Sequence, residues 1–422
     1  MMRWHAGWLL IPLLVGCGSQ ATDTTTETAP RPDNPVMTEA LAVWKAGDHE
    51  RGLEMLTAEI AAHPDDGRLY GARATLHHHA GRNTEALDDL NRAITAIPDD
   101  AQLLNNRGFV QLSLQNYDEA TTDLDRALEI EPAMASGCNN RGLVALAVGQ
   151  VQEAVAWFTR ALQADSTYVD AWNNRGFARM QLGRLELAYA DLNQALRISP
   201  QYVNALHNRG LLRIQAGELE AAILDFTEAM MIDPENPRYY RHRGATYQHL
   251  KRTEEARADL RKQEWLVELQ ACHQAIAQQP RSAAARTRRA LHFWNYGDET
   301  RAQADLKQAL QIDPQFGGAK VLQAKIALEY KQYDTVLELT SALLDTNEAA
   351  AAASVRGDAL LALGRYDDAL ECYVAARRFD GSVAEVYYRQ SQELSANGDA
   401  SAAEARLKQA LDLDPQVEHR LR

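Results

Sequence analysis

The pairs Asn105-Asn106, Asn139-Asn140 and Asn173-Asn174 recur at intervals of 34 residues, and His207-Asn208 and Arg241-His242 continue the series. A side-chain amide carries two N–H donors and a carbonyl acceptor. A column of them can hydrogen-bond an extended polypeptide, whose main chain repeats one donor and one acceptor whatever its side chains are. Peptide binding without bond making is therefore the chemistry open to Asn106, Asn140, Asn174, Asn208 and His242. Asn105, Asn139, Asn173 and His207 are secondary candidates for the same surface. A second role is equally open to the column. Asparagine is a mediocre helix former, and an amide in mid-helix can bond internally or support a loop.

Other reactive residues lack a productive arrangement. His77, His78 and His79 are consecutive, so on a helix they point about 100° apart and do not converge on one ion. Cys138, Cys272 and Cys372 are isolated and are expected to be reduced. The sequence holds no glycine-rich phosphate loop, no His-Glu-x-x-His and no nucleophile elbow. No enzyme activity, cofactor or metal is expected. Net charge is -14, with the acidic residues spread along the chain. That balance argues against a nucleic-acid partner and against attachment to an anionic bilayer by a basic face.

The elements that position these residues follow from the period. Gly108, Gly142, Gly176, Gly210 and Gly244 each lie 34 residues after the last. Around Gly108, the residues Leu103, Leu104 and Leu112 form a first helix, and Asn116 to Ala120 make a turn. Ala120, Leu124, Ala127 and Leu128 then give one apolar face at the 3.6-residue period of a second helix. Pro132 ends it, because proline cannot continue a helix. Arg107, Arg141, Arg175, Arg209 and Arg243 precede the small residues, with Arg73, Arg289 and Arg356 elsewhere. A structural ladder to aspartates such as Asp123, Asp125, Asp191 and Asp225 is expected, since guanidinium matches carboxylate as a fork.

This pattern resembles the tetratricopeptide repeat. The small residue falls at Ala40, Ala74, Gly108, Gly142, Gly176, Gly210, Gly244, Ala290, Ala324, Gly357 and Ser391. The closing proline falls at Pro64, Pro98, Pro132, Pro200, Pro234, Pro314 and Pro415, while Ser166, Glu348 and Gly381 stand in its place elsewhere. The resemblance implies an all-α, right-handed superhelical solenoid of about eleven helix pairs, with first helices lining a concave groove. O-linked N-acetylglucosamine transferases carry an asparagine ladder at a similar place in their superhelix, which grips peptide backbone. Chaperone-binding repeat domains hold a terminal carboxylate with a similar asparagine, but the Lys-and-Asn first helix of that clamp is missing here.

Two segments depart from the period. Ala256 to Ala302 spans 46 residues, which implies either a second helix lengthened by about 18 Å or a short extra helix at 257–280. Repeats one to seven are assigned to 36–268 and repeats eight to eleven to 269–422. At the N-terminus, Arg3 and the apolar run Trp8 to Val15 read as a signal peptide over 1–16, too short to span a bilayer. Leu14-Val15-Gly16-Cys17 resembles the bacterial lipoprotein box, which implies acylation of Cys17. Gly18, in place of Asp, implies the outer membrane, facing the periplasm. Residues 17–35 are rich in Thr, Ala and Pro and read as a tether.

The expected function is a membrane-anchored, non-enzymatic adaptor that binds a protein or extended peptide of the cell envelope, with the bilayer held through Cys17. Two alternatives are an assembly component using convex or edge surfaces and a cell-wall or carbohydrate-associated factor.

Overall fold

The computed structural model describes residues 34–421, and every regular element among them is an α-helix. The signal peptide, Cys17 and nearly all of the tether lie outside the described residues. Pro35, assigned above to the tether, is instead the first residue of a helix. Proline lacks an N–H, and the first turn of a helix has no intrahelical acceptor for one, so nothing is lost there; the Asn34 side chain caps the turn by accepting from the Val36 N–H.

Helices alternate as first and second members of eleven pairs. Repeats one to four are α1 (Pro35–Lys45) with α2 (His49–Ala62), α3 (Gly67–His79) with α4 (Asn83–Ala96), α5 (Ala101–Ser113) with α6 (Tyr117–Ile130), and α7 (Ala135–Ala147) with α8 (Val151–Ala164). Repeats five to seven are α9 (Val169–Gln181) with α10 (Leu185–Ile198), α11 (Val203–Ala216) with α12 (Leu219–Ile232), and α13 (Pro237–His249) with α14 (Thr253–Gln278). Repeats eight to eleven are α15 (Ala283–Asn295) with α16 (Glu299–Ile312), α17 (Gly317–Glu329) with α18 (Tyr333–Ser341), α19 (Ala349–Ala362) with α20 (Tyr366–Ala375), and α21 (Gly381–Ala396) with α22 (Ala400–Leu413). A last short helix, α23 (Val417–Leu421), buries Val417.

The described chain divides into two compact blocks, one ending at Leu260 and one beginning at Arg261. The division falls inside α14, an unbroken helix of 26 residues.

Within the N-terminal block the first helices from α1 to α11 each contact their own second helix, and consecutive first helices from α1 to α13 contact one another. The small residue makes the pairing close. A Cβ added to Gly108 would stand 2.7 Å from Leu124 Cγ, and one added to Gly142 would stand 2.6 Å from the Phe158 ring. Ala86, Ala120, Ala154, Ala188 and Ala222 are fully buried on the facing second helices. Phe158 and Phe226 fill the remaining space and are themselves fully buried. The turn between paired helices needs a positive φ. Glycine supplies it in eight repeats, but Gln115, Lys251 and Lys331 adopt it at the same place.

The C-terminal block is built on the same pairing with less regular second helices. α16 and α22 have 14 residues, but α18 has 9 and α20 has 10.

Candidate functional site

Number each repeat so that its small residue is position 8. The asparagine column then occupies position 6, and the residue before it position 5. The structure brings these two positions together across the boundary between repeats. Asn140 donates to Asn105 Oδ1 at 2.9 Å, Asn174 to Asn139 Oδ1 at 3.0 Å, and Asn208 to Asn173 Oδ1 at 2.8 Å. Every link spans 35 residues, from position 6 of one first helix to position 5 of the one before.

Within a repeat, Asn173 donates to Asn174 Oδ1 at 3.2 Å. Asn208, Asn173, Asn174 and Asn139 therefore form one relay, each donating to the next in that order. Asn140 and Asn208 are buried, as are Asn105, Asn139, Asn173 and His207. Asn106 and Asn174 are half-buried.

Asn106 is the exception at the N-terminal end. The register would place its donor against position 5 of repeat two, but that residue is Gly71, which has no side-chain acceptor. The Asn106 carbonyl accepts from Gln102 at 2.8 Å and from Asn105 at 3.5 Å. Its amine makes no hydrogen bond among the described residues.

At the other end the column passes to imidazoles. His207 lies 5.1 Å from His242, centroid to centroid, and His242 stacks on Phe226 at 5.9 Å. Burial holds the His207 pKa well below the usual imidazole range, and His242, Arg238 and Arg241 add to the effect. Burial, then Arg241 and Arg238, lower that of His242 to about 4. Both rings are neutral at pH 7. His207 Nε2 and Asn208 Oδ1 are buried without a partner.

The arginines at position 7 form the expected ladder, with a reach wider than expected. Arg107 grips Asp123 through two bonds of 2.7 Å, and Arg175, Arg209, Arg243, Arg73 and Arg289 hold Asp191, Asp225, Asp259, Asp89 and Asp305 in the same way. Each aspartate lies 16 residues later, on the arginine's own second helix. The same guanidinium also reaches 16 residues back, to the preceding second helix: Arg73 to Thr57, Arg107 to Asn91, Arg175 to Thr159, Arg209 to Asn193 and Arg243 to Thr227. One fork on a first helix thus fastens two second helices.

Repeat four inverts the arrangement. Trp157 stands where the aspartate would be, and Arg141 lies over its ring at 5.4 Å. The carboxylate is found 16 residues back instead, as Asp125 at 2.9 Å. The sequence marks these backward partners as a polar residue at the same point of each second helix, a signal missed by following aspartates alone.

The three consecutive histidines diverge. His77 approaches Asp89 at 3.9 Å, while His78 bonds Asn83 and meets Phe109 edge-on. Burial lowers the pKa of both His77 and His79. Among the described residues no group of His, Cys, Asp or Glu is placed to hold a metal ion. Cys138 and Cys272 are buried, and burial raises the pKa of both thiols.

Residues 37–101, 106–169 and 323–384 match one family profile described as "Tetratricopeptide repeat". Two further profiles of the same description match 169–202, and 203–236 with 384–417. None of the curated proteins matches significantly. Among solved structures, PilW, titled a widely conserved type IV pilus biogenesis factor, is 20% identical, with 49% of this chain and 96% of that chain covered at a TM-score of 0.44. PilF of Pseudomonas aeruginosa is 20% identical over 53% of this chain and 97% of its own, at 0.37. YrrB, titled a TPR protein with an unusual peptide-binding site, is 20% identical over 56% and 97%, at 0.32. With repeats matched along more than half of its length and helices paired as that repeat requires, the chain belongs to the tetratricopeptide-repeat family.

Proposed function

We propose that the chain is a protein-binding scaffold that takes an extended peptide along the first helices of its N-terminal block. Tetratricopeptide repeats are protein- and peptide-binding modules, and in the column of Asn106, Asn140, Asn174, Asn208 and His242 the half-buried amides of Asn106 and Asn174 are the ones open to a ligand. The observation that carries the reading is the uncommitted amine of Asn106. Gln102 holds its carbonyl, so two N–H donors are left for a main-chain carbonyl of the ligand. Asn174, half-buried, has one N–H remaining and makes the next contact. Asn140 and Asn208 are buried struts that keep the first helices in register.

The test compares Asn106→Ala and Asn140→Ala with wild type, by affinity capture from envelope extracts followed by titration of the captured partner. Asn106→Ala should weaken binding about tenfold at unchanged Tm, the value of one or two polar contacts. Asn140→Ala strands a buried Asn105 carbonyl and should lower Tm instead. Unaltered affinity in a folded Asn106→Ala, Asn174→Ala double variant would sink the reading.

The proposed setting is the bacterial envelope, with acyl chains on Cys17 anchoring the scaffold to a membrane, supported by the motif Leu14 to Cys17. Metabolic labelling with a palmitate analogue should mark the wild type and leave Cys17→Ser unmarked.

An assembly role has one observation in its favour. Leu224 and Met231, seven residues apart on α12, are 68% and 81% exposed. An apolar pair so open marks a surface for a permanent neighbour. Leu224→Lys with Met231→Lys would shift the apparent mass of the complex if that surface is used.

A further inference from the structure

In the C-terminal block an open hollow of about 270 Å³ lies between the turn that follows α18, the start of α19 and the end of α20. Leu344, Ala349, Ala353, Cys372 and Ala375 make it apolar, and Glu371 brings a carboxylate to the lining. An apolar cavity of about 150 Å³ is enough to take benzene. This hollow therefore has room for a phenyl ring.

Such a ring stands nearby on the same chain. Phe379 follows Ala375 by four residues, across Arg377, whose φ of 54° turns the chain away from the axis of α20. The ring is 64% exposed and does not line the hollow of its own chain. Its neighbour Arg378 keeps it there. Arg378 donates to both oxygens of Asp358 at 2.7 Å, to Asp380 at 2.7 Å and to Ser382 Oγ at 2.6 Å, and it lies over the Tyr373 ring. These bonds fix the turn, so Phe379 is presented on a rigid support. A side chain already held in place loses little freedom when a partner covers it.

The charges match as well. Glu371 in the lining and Arg377, two residues before Phe379, are both exposed. Neither side chain has a hydrogen bond or ion pair among the described residues. The hollow offers apolar depth with an anion beside it. The turn after α20 offers an apolar ring with a cation beside it. Both halves of the fit belong to one chain, so two copies related by a two-fold axis can each give a ring and receive one, and every contact is made twice.

We infer that the C-terminal block pairs with a second copy of this chain through that exchange. Phe379 of each copy enters the hollow of the other, and Arg377 of each meets Glu371 of the other. The pairing uses none of the residues of the peptide surface proposed on the N-terminal block.

The test is sedimentation of the full chain over a series of concentrations. The wild type should pass from monomer to dimer. Phe379→Ala removes both buried rings and should raise the dimer dissociation constant about a hundredfold, at unchanged Tm because the ring is exposed in a single copy. Arg377→Glu and Glu371→Arg each set like charges against one another, and each should raise the constant about tenfold at low salt. Mixed in equal amounts, these two variants place opposite charges at both contacts and should associate as the wild type does. A wild-type chain that stays monomeric at every concentration overturns the inference. So does a dimer that Phe379→Ala leaves unchanged, or a mixture that associates no better than its two components alone.

Discussion

Repeats two to six and repeats nine to eleven are made from the same helix pair, yet they fasten consecutive pairs differently. In the former every second helix has 14 residues, and a guanidinium on each first helix binds the second helices on both sides. In the latter the fork is lost. Gln323 and Gln390 replace two of the arginines, and Arg356 bonds the Leu337 carbonyl at 2.8 Å and Thr340 at 3.4 Å, with no aspartate in reach. α18 and α20 end early in this same stretch, and the hollow opens beside α20. A short second helix leaves surface uncovered. The comparison associates regularity in this fold with an arginine that fastens two second helices at once, as well as with the small residue.

The largest effect should come from breaking that ion pair. Arg107→Met leaves Asp123 buried and uncompensated, at a cost of about 3–5 kcal/mol. Arg356→Met removes only bonds to neutral acceptors and should cost about 1 kcal/mol. Urea unfolding of the two variants, with hydrogen exchange to locate the loosened repeats, compares them. Equal losses would mean that the fork is not what distinguishes the regions.

The small residue offers a second comparison. Gly142→Ala drives a methyl into the Phe158 ring, and Gly357→Ala drives one equally close, 2.6 Å, to the Tyr373 ring. Overpacking of this kind costs about 1–3 kcal/mol. Tyr373 is pinned by its hydroxyl to Asp358, so Gly357→Ala should be the more costly of the two. Phe158→Leu should relieve Gly142→Ala, since repeat two already pairs Ala74 with Leu90. A Tm series over these variants decides it.

Acid should weaken the N-terminal block first. His207 and His242 are neutral in the fold, with pKa values below the ordinary 6.5 of an exposed imidazole. Their contribution is complete above pH 6.5 and is lost as the pH falls from there toward about 4, because the unfolded chain then takes up protons that the fold refuses. His207→Asn with His242→Asn extends the amide column and should flatten that part of the pH–stability profile. A slope that persists in the double variant would assign it to other groups.

The smallest effect expected is a gain. Gln115 and Lys331 hold positive φ angles of 64° and 57°, where other repeats have glycine. Gln115→Gly and Lys331→Gly should each stabilise by at most about 1 kcal/mol, strain relieved less entropy lost. Similar gains in both would show that the two regions share this turn whatever their junctions.

The fold was legible because one register carries it. Gly108 and its copies, the buried alanines and the closing prolines are local signals that repeat, and each states its own reason. The candidate site was legible only in part. The spacing placed Asn106, Asn140, Asn174 and Asn208 in a column, but whether an amide faces ligand or its neighbour depends on the offset between adjacent first helices. That offset, position 6 against position 5, is a property of packing and is written in no single repeat.

The inverted junction at repeat four bears on how such a chain can be cut and rejoined. Arg141 finds its carboxylate in Asp125, which belongs to the repeat before, and Trp157 occupies the place where its own repeat would supply one. The closer counterion thus lies across a boundary, while Glu153 of the same repeat stands farther off, at 3.4 Å. A copy of repeat four spliced behind any other repeat would lose the closer carboxylate and keep only Glu153 at 3.4 Å, whereas repeats three and four moved together would carry both. The smallest portable cassette at that point of the chain is two repeats long.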